Sequence, residues 1–407
     1  GIGWEEMSDS GHMHWEPKAA LMFDLIGDYS TLIAQSLDVP VYLMKGTNMF
    51  NVQEPAVREH AELFGDRLYM IEEGKKTFIM RYAACHQQFA IMRNWTISYK
   101  QLPFGAFEVA DSYRLEQSGE CQLLFRVRRL NMPDLHILCM DTSESYDWFK
   151  KIHSRIFEEA EKIGVEYEML INISGKKSFE ENRQFIEALV KERGRPALLH
   201  FYPDGVNYYW TINLEYMMID EGRRPREIGT VQIDIGNSKR FDIKYADETG
   251  QPKYPIILHT AIIGTIERYL YMVFDAALKK EKAGGKGSLP VWLNPEQVRL
   301  MTVSDKHLLK AYEIASILRK NGIRVGVDDR TETVGKKVRQ AKQDWVSYAI
   351  VIGDKELSSS LIKVYDRESD KDVDITVEEL ISKIAVKVDG YPNRTMYFPM
   401  ELTKRIV

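Results

Sequence analysis

After Pro17 the apolar residues Leu21, Met22, Leu25, Ile26, Tyr29, Leu32 and Ile33 recur at helical spacing, which predicts a helix opened by proline, with strand-like Val39 to Met44 behind it. Segments 104–116, 122–130 and 134–141 then read as strands separated by short joints, as in antiparallel hairpins. Helical patterns at 144–163 and 178–194 interrupt the strands before further strand-like stretches at 208–217, 229–235 and 239–245. This predicts an α+β domain built on an antiparallel sheet. Between Lys279 and Pro290, charge, the paired Gly284 and Gly285, and a closing proline leave nothing to pack, so two domains are expected, 1–285 and 286–407. Beyond that break, Val298–Val303, Ile323–Val327 and Tyr348–Ile352 alternate with helical patterns at 305–320 and 334–343, the signature of a compact α/β domain with βαβ units.

Composition narrows the class. The 407 residues are 44% hydrophobic and 28% charged, close to globular averages, and no apolar run approaches the length of a membrane span. No charged segment followed by an apolar one opens the chain, and Cys85, Cys121 and Cys139 cannot all pair internally, so a reducing cytoplasm is expected. A net charge of −5 gives no global attraction to nucleic acid, and an RNA partner would have to be held by local patches and shape. The chain begins at Gly1 rather than methionine, which suggests that upstream residues were removed or are not represented.

Candidate chemistry sits on the first hairpin. Arg114 and Glu116 are two apart, so a strand sends both to one face, and Arg126 returns on the next strand. Two guanidiniums and a carboxylate suit ATP, since arginine matches phosphate oxygens and a carboxylate accepts from an adenine amino group. Taken alone the set is a weak signal and reads first as an ordinary cross-strand Arg–Glu pairing. Further on, Lys253-Tyr-Pro-Ile-Ile-Leu-His259 leads into a helix in which Gly264 permits close approach and Arg268 faces the sheet, or pairs with a neighbouring Glu.

Together the two segments resemble motifs 2 and 3 of the class II aminoacyl-tRNA synthetases, an arginine-x-glutamate hairpin and a glycine-x-x-x-arginine helix, and the resemblance runs from Trp15 to the last strands of the second domain. Within that class the chain is similar to the threonyl-tRNA synthetase family. That family carries a cysteine at the start of a helix, a histidine after motif 2 and a histidine at the head of motif 3, which the resemblance places on Cys85, His136 and His259 as ligands of one Zn2+. Cys139, three positions from His136, would face the other side of a strand and is rejected. The resemblance further implies Arg114, Glu116, Arg126 and Arg268 on ATP with Mg2+, Asp134 and Gln232 on L-threonine, and His60 assisting transfer to the tRNA(Thr) ribose. It implies a homodimer, although Thr47 stands where motif 1 normally has proline. Trp210 and Asn213 depart from the bacterial pattern, so contacts at 205–215 are not carried over, and Asn207-Tyr-Tyr-Trp210 looks closer to the archaeal branch. In the second domain, resemblance to an anticodon-binding fold puts Arg330, Thr331 and Glu356 at the bases, and Lys336, Lys337 and Arg339 read as phosphate contacts or a solvated face.

An open zinc site would separate threonine from isosteric valine, which leaves a coordination position unfilled, whereas serine lacks only a methyl, a difference of about 1–3 kcal/mol. No segment here resembles the family's N-terminal editing domain, so the expectation is that this chain mischarges tRNA(Thr) with serine and that a removed domain or a separate editing protein corrects it. The competing readings are a prolyl or glycyl synthetase, which has no use for the metal set, and a synthetase-like binding protein without catalysis. A zinc hydrolase fails for want of a histidine-glutamate helix motif.

Overall fold

The computed structural model describes residues 1–62, 64–203 and 208–406. The chain divides into two compact units: one holds Trp4–Met13 and Ser30–Met272, the other Gly1–Gly3, His14–Tyr29 and the chain from Val273 onward. Helix α1 (Pro17–Gln35) buries Leu21, Met22, Leu25, Ile26, Tyr29 and Ile33, the face its spacing predicts.

The larger unit is built on β1 (Val41–Leu43), β2 (Phe104–Tyr113), β3 (Arg129–Cys139), β4 (Glu168–Ile173), β5 (Ala197–Phe201), β6 (Trp210–Ile219), β7 (Pro225–Asp234) and β8 (Ile256–Thr260). These eight lie in the order β5-β4-β6-β7-β8-β3-β2-β1. All inner pairs are antiparallel, and the pairs at the two edges, β4·β5 and β1·β2, are parallel. Helices α2 (Pro55–Ala61), α3 (Cys85–Met92), α4 (Thr142–Glu161), α5 (Lys176–Arg193) and α6 (Ile266–Lys282) accompany them. Helix α4 starts where the Asp141 carboxylate accepts from the Glu144 amide. It packs across β3, β7 and β8 with a buried stripe of Trp148, Phe149, Ile152, Ile156, Phe157 and Ala160. Each large apolar side chain of that stripe contributes roughly 1.5–3 kcal/mol relative to exposure. The unit is α+β, as the alternation of segments predicts.

Three local expectations change. The three strands expected between 104 and 141 are two long ones, in register from Phe104↔Leu138 to Tyr113↔Arg129, with residues 122–128 in the loop. The short joint expected between 130 and 134 contains Pro133, yet β3 runs through it: β8 reaches only as far as Leu135 along β3, so on that side proline costs no ladder bond. The strand expected at 239–245 is instead a short helix, Asn237–Arg240, followed by a strand of only Tyr245–Ala246. The Asp234 carboxylate causes this by accepting from the amides of Gly236 and Asn237, which turns the chain. The segment expected to be unpacked is partly packed: α6 runs to Lys282, and Arg367 Nε donates to the Gly287 carbonyl at 2.6 Å.

The smaller unit has β9 (Val298–Thr302), α7 (Leu308–Lys320), β10 (Val325–Asp328), α8 (Val334–Gln343), β11 (Tyr348–Ile352), β12 (Ile362–Asp366), β13 (Lys371–Ile375) and α9 (Val377–Val388). Its sheet runs β10-β9-β11-β12-β13. The first three strands are parallel, as βαβ units require, and β12 and β13 add an antiparallel hairpin the sequence reading did not include.

Candidate active site

Strand register lays a row of polar residues across the large sheet. His200, Asn172, Asn213, Gln232, His259 and His136 stand directly opposite one another on β5, β4, β6, β7, β8 and β3, and Ala106 of β2 closes the row. Cross-strand partners share a face, so side chains from positions 19 to 123 residues apart become neighbours without any local sequence signal. Helix α3 brings Cys85 to the same place, and one ligand atom from each of Cys85, His136 and His259 lies within 4.8 Å of the others.

The hydrogen bonds around these histidines set their tautomers. His259 Nε2 lies 2.6 Å from Asp234 Oδ2, a group that only accepts, so Nε2 carries the proton. His136 Nδ1 lies 2.9 Å from Gln88 Oε1, whose amide is oriented by Nε2 donating to the Asp134 carbonyl at 3.1 Å. The remaining nitrogens, His136 Nε2 and His259 Nδ1, therefore present lone pairs to each other at 3.1 Å. Two lone pairs do not bond; a cation between them would satisfy both, and tetrahedral Zn2+ with Zn–N of about 2.0–2.1 Å calls for such a spacing. The donor set fits zinc. Burial pushes the Cys85 thiol up, so a cation is also what would make it a thiolate. Asp134 Oδ2 sits 3.6 Å from His136 Nε2, and burial raises its carboxyl to about 7. Gln232 lies next to His259 on β7, with its Oε1 accepting from the Tyr209 hydroxyl at 3.4 Å. Cys139 lies at the far end of β3 with its thiol directed at the Ile137 carbonyl, away from this group.

Beside it, Arg114 and Arg268 converge. Strand β2 ends at Tyr113, and the chain turns so that the Glu116 amide donates to the Arg114 carbonyl, so the shared strand face expected for Arg114 and Glu116 does not form. Arg114 Nε donates to the Tyr82 carbonyl at 3.3 Å, and burial, then the neighbouring Arg268, lowers the Arg114 guanidinium below its ordinary range. Glu116 pairs with Arg126 at 2.8 Å. Arg268 lies over the Phe125 ring at 4.9 Å and donates to the Glu227 carbonyl at 2.9 Å. Gly264 is required here: its φ is +71°, and a β-carbon would meet the Ile228 carbonyl oxygen at 2.3 Å. Arg268 also pairs with the Glu227 carboxylate at 3.5 Å, and the two guanidiniums converging at one point make a candidate anion site.

His60 is not an exposed helix-terminal histidine. It is 4% exposed on α2, surrounded by Phe64, Tyr82, His86 and Tyr209, and burial lowers its pKa to about 4, which keeps the ring neutral. Beneath the site, Arg81 and Glu108 form a buried ion pair at 2.6 Å, and Glu108 Oε1 also accepts from the Gly46 amide. Asp234, Gln88, Tyr82 and this pair were not singled out from sequence. Two of them had a signal: Asp234 shares Gln232's face at a spacing of two, and Gln88 shares Cys85's at three.

Residues 69–277 match the family model of the tRNA synthetase class II core domain (G, H, P, S and T). The chain belongs to the class II tRNA synthetases. Residues 297–387 match the anticodon binding domain. Among curated relatives, the threonine--tRNA ligase of Thermofilum pendens is 48% identical over 405 residues, 100% of this chain and 66% of that protein. That of Nanoarchaeum equitans is 50% identical over 403 residues, 99% of this chain and 63% of that protein. The chain thus spans slightly under two thirds of these relatives' length. Among solved structures, the RNA binding domain of threonyl-tRNA synthetase from Cryptosporidium parvum superposes with a TM-score of 0.83 at 22% identity, covering 96% of each chain. Giardia lamblia prolyl-tRNA synthetase in complex with prolyl-adenylate gives 0.72 at 17% identity, covering 95% of this chain and 76% of that one. These two share the fold.

In this class II synthetase chain the smaller unit distributes its candidates unevenly. Arg330 is held by the Asp328 carboxylate at 2.7 Å, Thr331 is exposed, and Glu356 caps a turn by accepting from the Gly353 amide. Lys336 and Arg339 are exposed, but Lys337 is not a phosphate contact: it is 2% exposed, and its Nζ donates to the carbonyls of Thr302 and Asp328, both at 2.9 Å. Trp210 is buried, whereas Gly205, Val206 and Asn207 lie outside the described residues.

Proposed function

We propose that this chain is the catalytic and anticodon-binding part of a threonyl-tRNA synthetase, activating L-threonine with ATP and transferring it to tRNA(Thr). The single observation that carries this reading is the pair of facing lone pairs on His136 and His259 with the Cys85 thiol beside them. A prolyl or glycyl enzyme has no use for that arrangement, and the 48–50% identity to threonine--tRNA ligases supports the same choice.

Cys85, His136 and His259 would hold the zinc, which when bound supplies an open coordination position for the amino group and side-chain hydroxyl of threonine. Asp134 then accepts from an N–H of the substrate amino group, with Gln232 alongside. Arg114 and Arg268 neutralise the phosphates of ATP·Mg2+ as the threonine carboxylate attacks the α-phosphorus, while Glu116 and Arg126 hold the nucleotide base, so positioning and electrostatics supply most of the acceleration. His60 accepts the proton of the attacking ribose hydroxyl in the second step. Residues 1–285 carry this chemistry and 286–407 read the anticodon, with Arg330, Thr331 and Glu356 at the bases. A cytoplasmic homodimer completes the reading, and serine mischarged by this chain is cleared by a separate domain or protein. Among the described residues no helix is long and apolar enough to cross a membrane.

Threonine-dependent ATP–pyrophosphate exchange tests the activity, with Cys85→Ala compared for exchange and for bound zinc. Exchange with threonine, lost together with one zinc per chain in the variant, supports the reading. Exchange that survives loss of the metal, or that responds to proline or glycine instead, overturns it.

A further inference from the structure

Tyr82 touches both halves of the proposed reaction with different atoms. Its carbonyl accepts from Arg114 Nε at 3.3 Å, and its hydroxyl lies 3.3 Å from both the Val57 carbonyl and His60 Nδ1. Val57 and His60 are three apart, on one face of α2, so the hydroxyl bridges two groups a single helical turn apart. Tyr82 is fully buried, and burial raises its phenol, so it remains protonated and has one hydrogen to give. A carbonyl can only accept. With the phenol hydrogen on the Val57 oxygen, the Tyr82 oxygen has only lone pairs left for His60, which must then carry its own proton on Nδ1. His60 Nε2 makes no hydrogen bond to the protein among the described residues.

We infer that Tyr82 is a positioning residue for transfer, fixing His60 as the Nδ1–H tautomer with the Nε2 lone pair free to take a proton. This rests on His60 as the group that assists transfer. In the step itself the ribose O–H bond breaks and its proton passes to His60 Nε2. The ribose oxygen forms an ester bond to the adenylate carbonyl carbon, and the carbonyl–phosphate oxygen bond breaks, AMP leaving with the electron pair. The resulting imidazolium keeps its Nδ1–H donated to the Tyr82 oxygen. Phe64, Tyr209 and His86 pack against His60, and neither nitrogen of His86 has a hydrogen-bond partner, so among the described residues Tyr82 is the side chain that distinguishes the two ring nitrogens.

Tyr82→Phe removes the hydroxyl and keeps both the ring and the carbonyl that orients Arg114. In the zinc-loaded protein the expected result is pyrophosphate exchange within about twofold of the parent, with single-turnover transfer from preformed adenylate to tRNA slowed on the order of tenfold, short of the roughly 10²–10⁴-fold typical of losing a general base. Nitrogen-15 NMR of the ring, assigned by loss of the signal in His60→Gln, is expected to report Nδ1–H in the parent and a mixture of tautomers in Tyr82→Phe. An Nε2–H tautomer in the parent overturns the inference whether or not the variant folds. Unchanged transfer in Tyr82→Phe alongside slowed transfer in His60→Gln overturns it while leaving the role of His60 intact. Unchanged transfer in His60→Gln overturns the underlying reading of that histidine.

Discussion

His259 directs one ring nitrogen at Asp234 and the other at His136, so the carboxylate decides which nitrogen is available to a metal. Asp234→Asn can donate where aspartate only accepts, and it releases the tautomer. Partners of this kind are typically worth 10–100-fold in metal affinity. Competition for zinc against a chromophoric chelator is expected to show a loss of that order, with the fold retained by circular dichroism.

The Arg81–Glu108 pair is almost wholly buried, and Glu108 also holds the Gly46 amide. Removing one partner leaves the other charge stranded, which costs about 3–5 kcal/mol. Arg81→Met is expected to lower the midpoint of denaturant unfolding accordingly, and the double variant Arg81→Met/Glu108→Gln to recover part of the loss. A single variant as stable as the parent would contradict the burial of this pair.

Glu267 gives a pH dependence whose sign is determined. Burial raises its carboxyl to about 7 from an unfolded value of 4.5, although both oxygens accept from the Asn131 amide. A raised acid favours the folded state fully below pH 4.5 and loses that contribution as pH climbs through 7, up to about 3 kcal/mol. Stability measured from pH 5 to 8 is expected to fall with a component that Glu267→Gln lacks.

Lys337 and Lys336 are adjacent on α8 and separate cleanly. Lys337→Met removes a buried ammonium from two carbonyls and is expected to destabilise the smaller unit by roughly 1.5–3 kcal/mol per lost bond, with the salt dependence of tRNA binding unaltered. Lys336→Ala on the exposed side is expected to leave stability within about 0.5 kcal/mol. A salt slope that falls only in Lys337→Met would reverse this assignment.

Helices were legible because their burial is periodic: α1 and α4 each hide one stripe, and period alone locates them. The joint expected between 130 and 134 is continuous strand, because the cost of a proline such as Pro133 depends on whether a third strand lies beside it, a fact that belongs to the sheet rather than to the strand. Asp234 bent the chain at 237–240 through two amides, a local effect hidden beneath an apparently strand-like composition. The ligand set was reachable only by family resemblance, since nothing near Cys85 announces His136 or His259. Lys337 shows the opposite failure. A run of basic residues on a helix looks uniform in sequence, and only packing reveals that one of them points inward.

The transverse line from His200 to His136 spans about 24 Å at the usual strand spacing. Because alternate residues face opposite sides, sliding any one of its strands by a single position would swing its member of the line to the other surface and put a neighbour in its stead that is aliphatic except at Phe201 and Thr260. Catalytic alignment here is therefore a property of backbone phasing. A one-residue slip in any of these strands would misplace its member of the centre while every contacting side chain remained present in the chain.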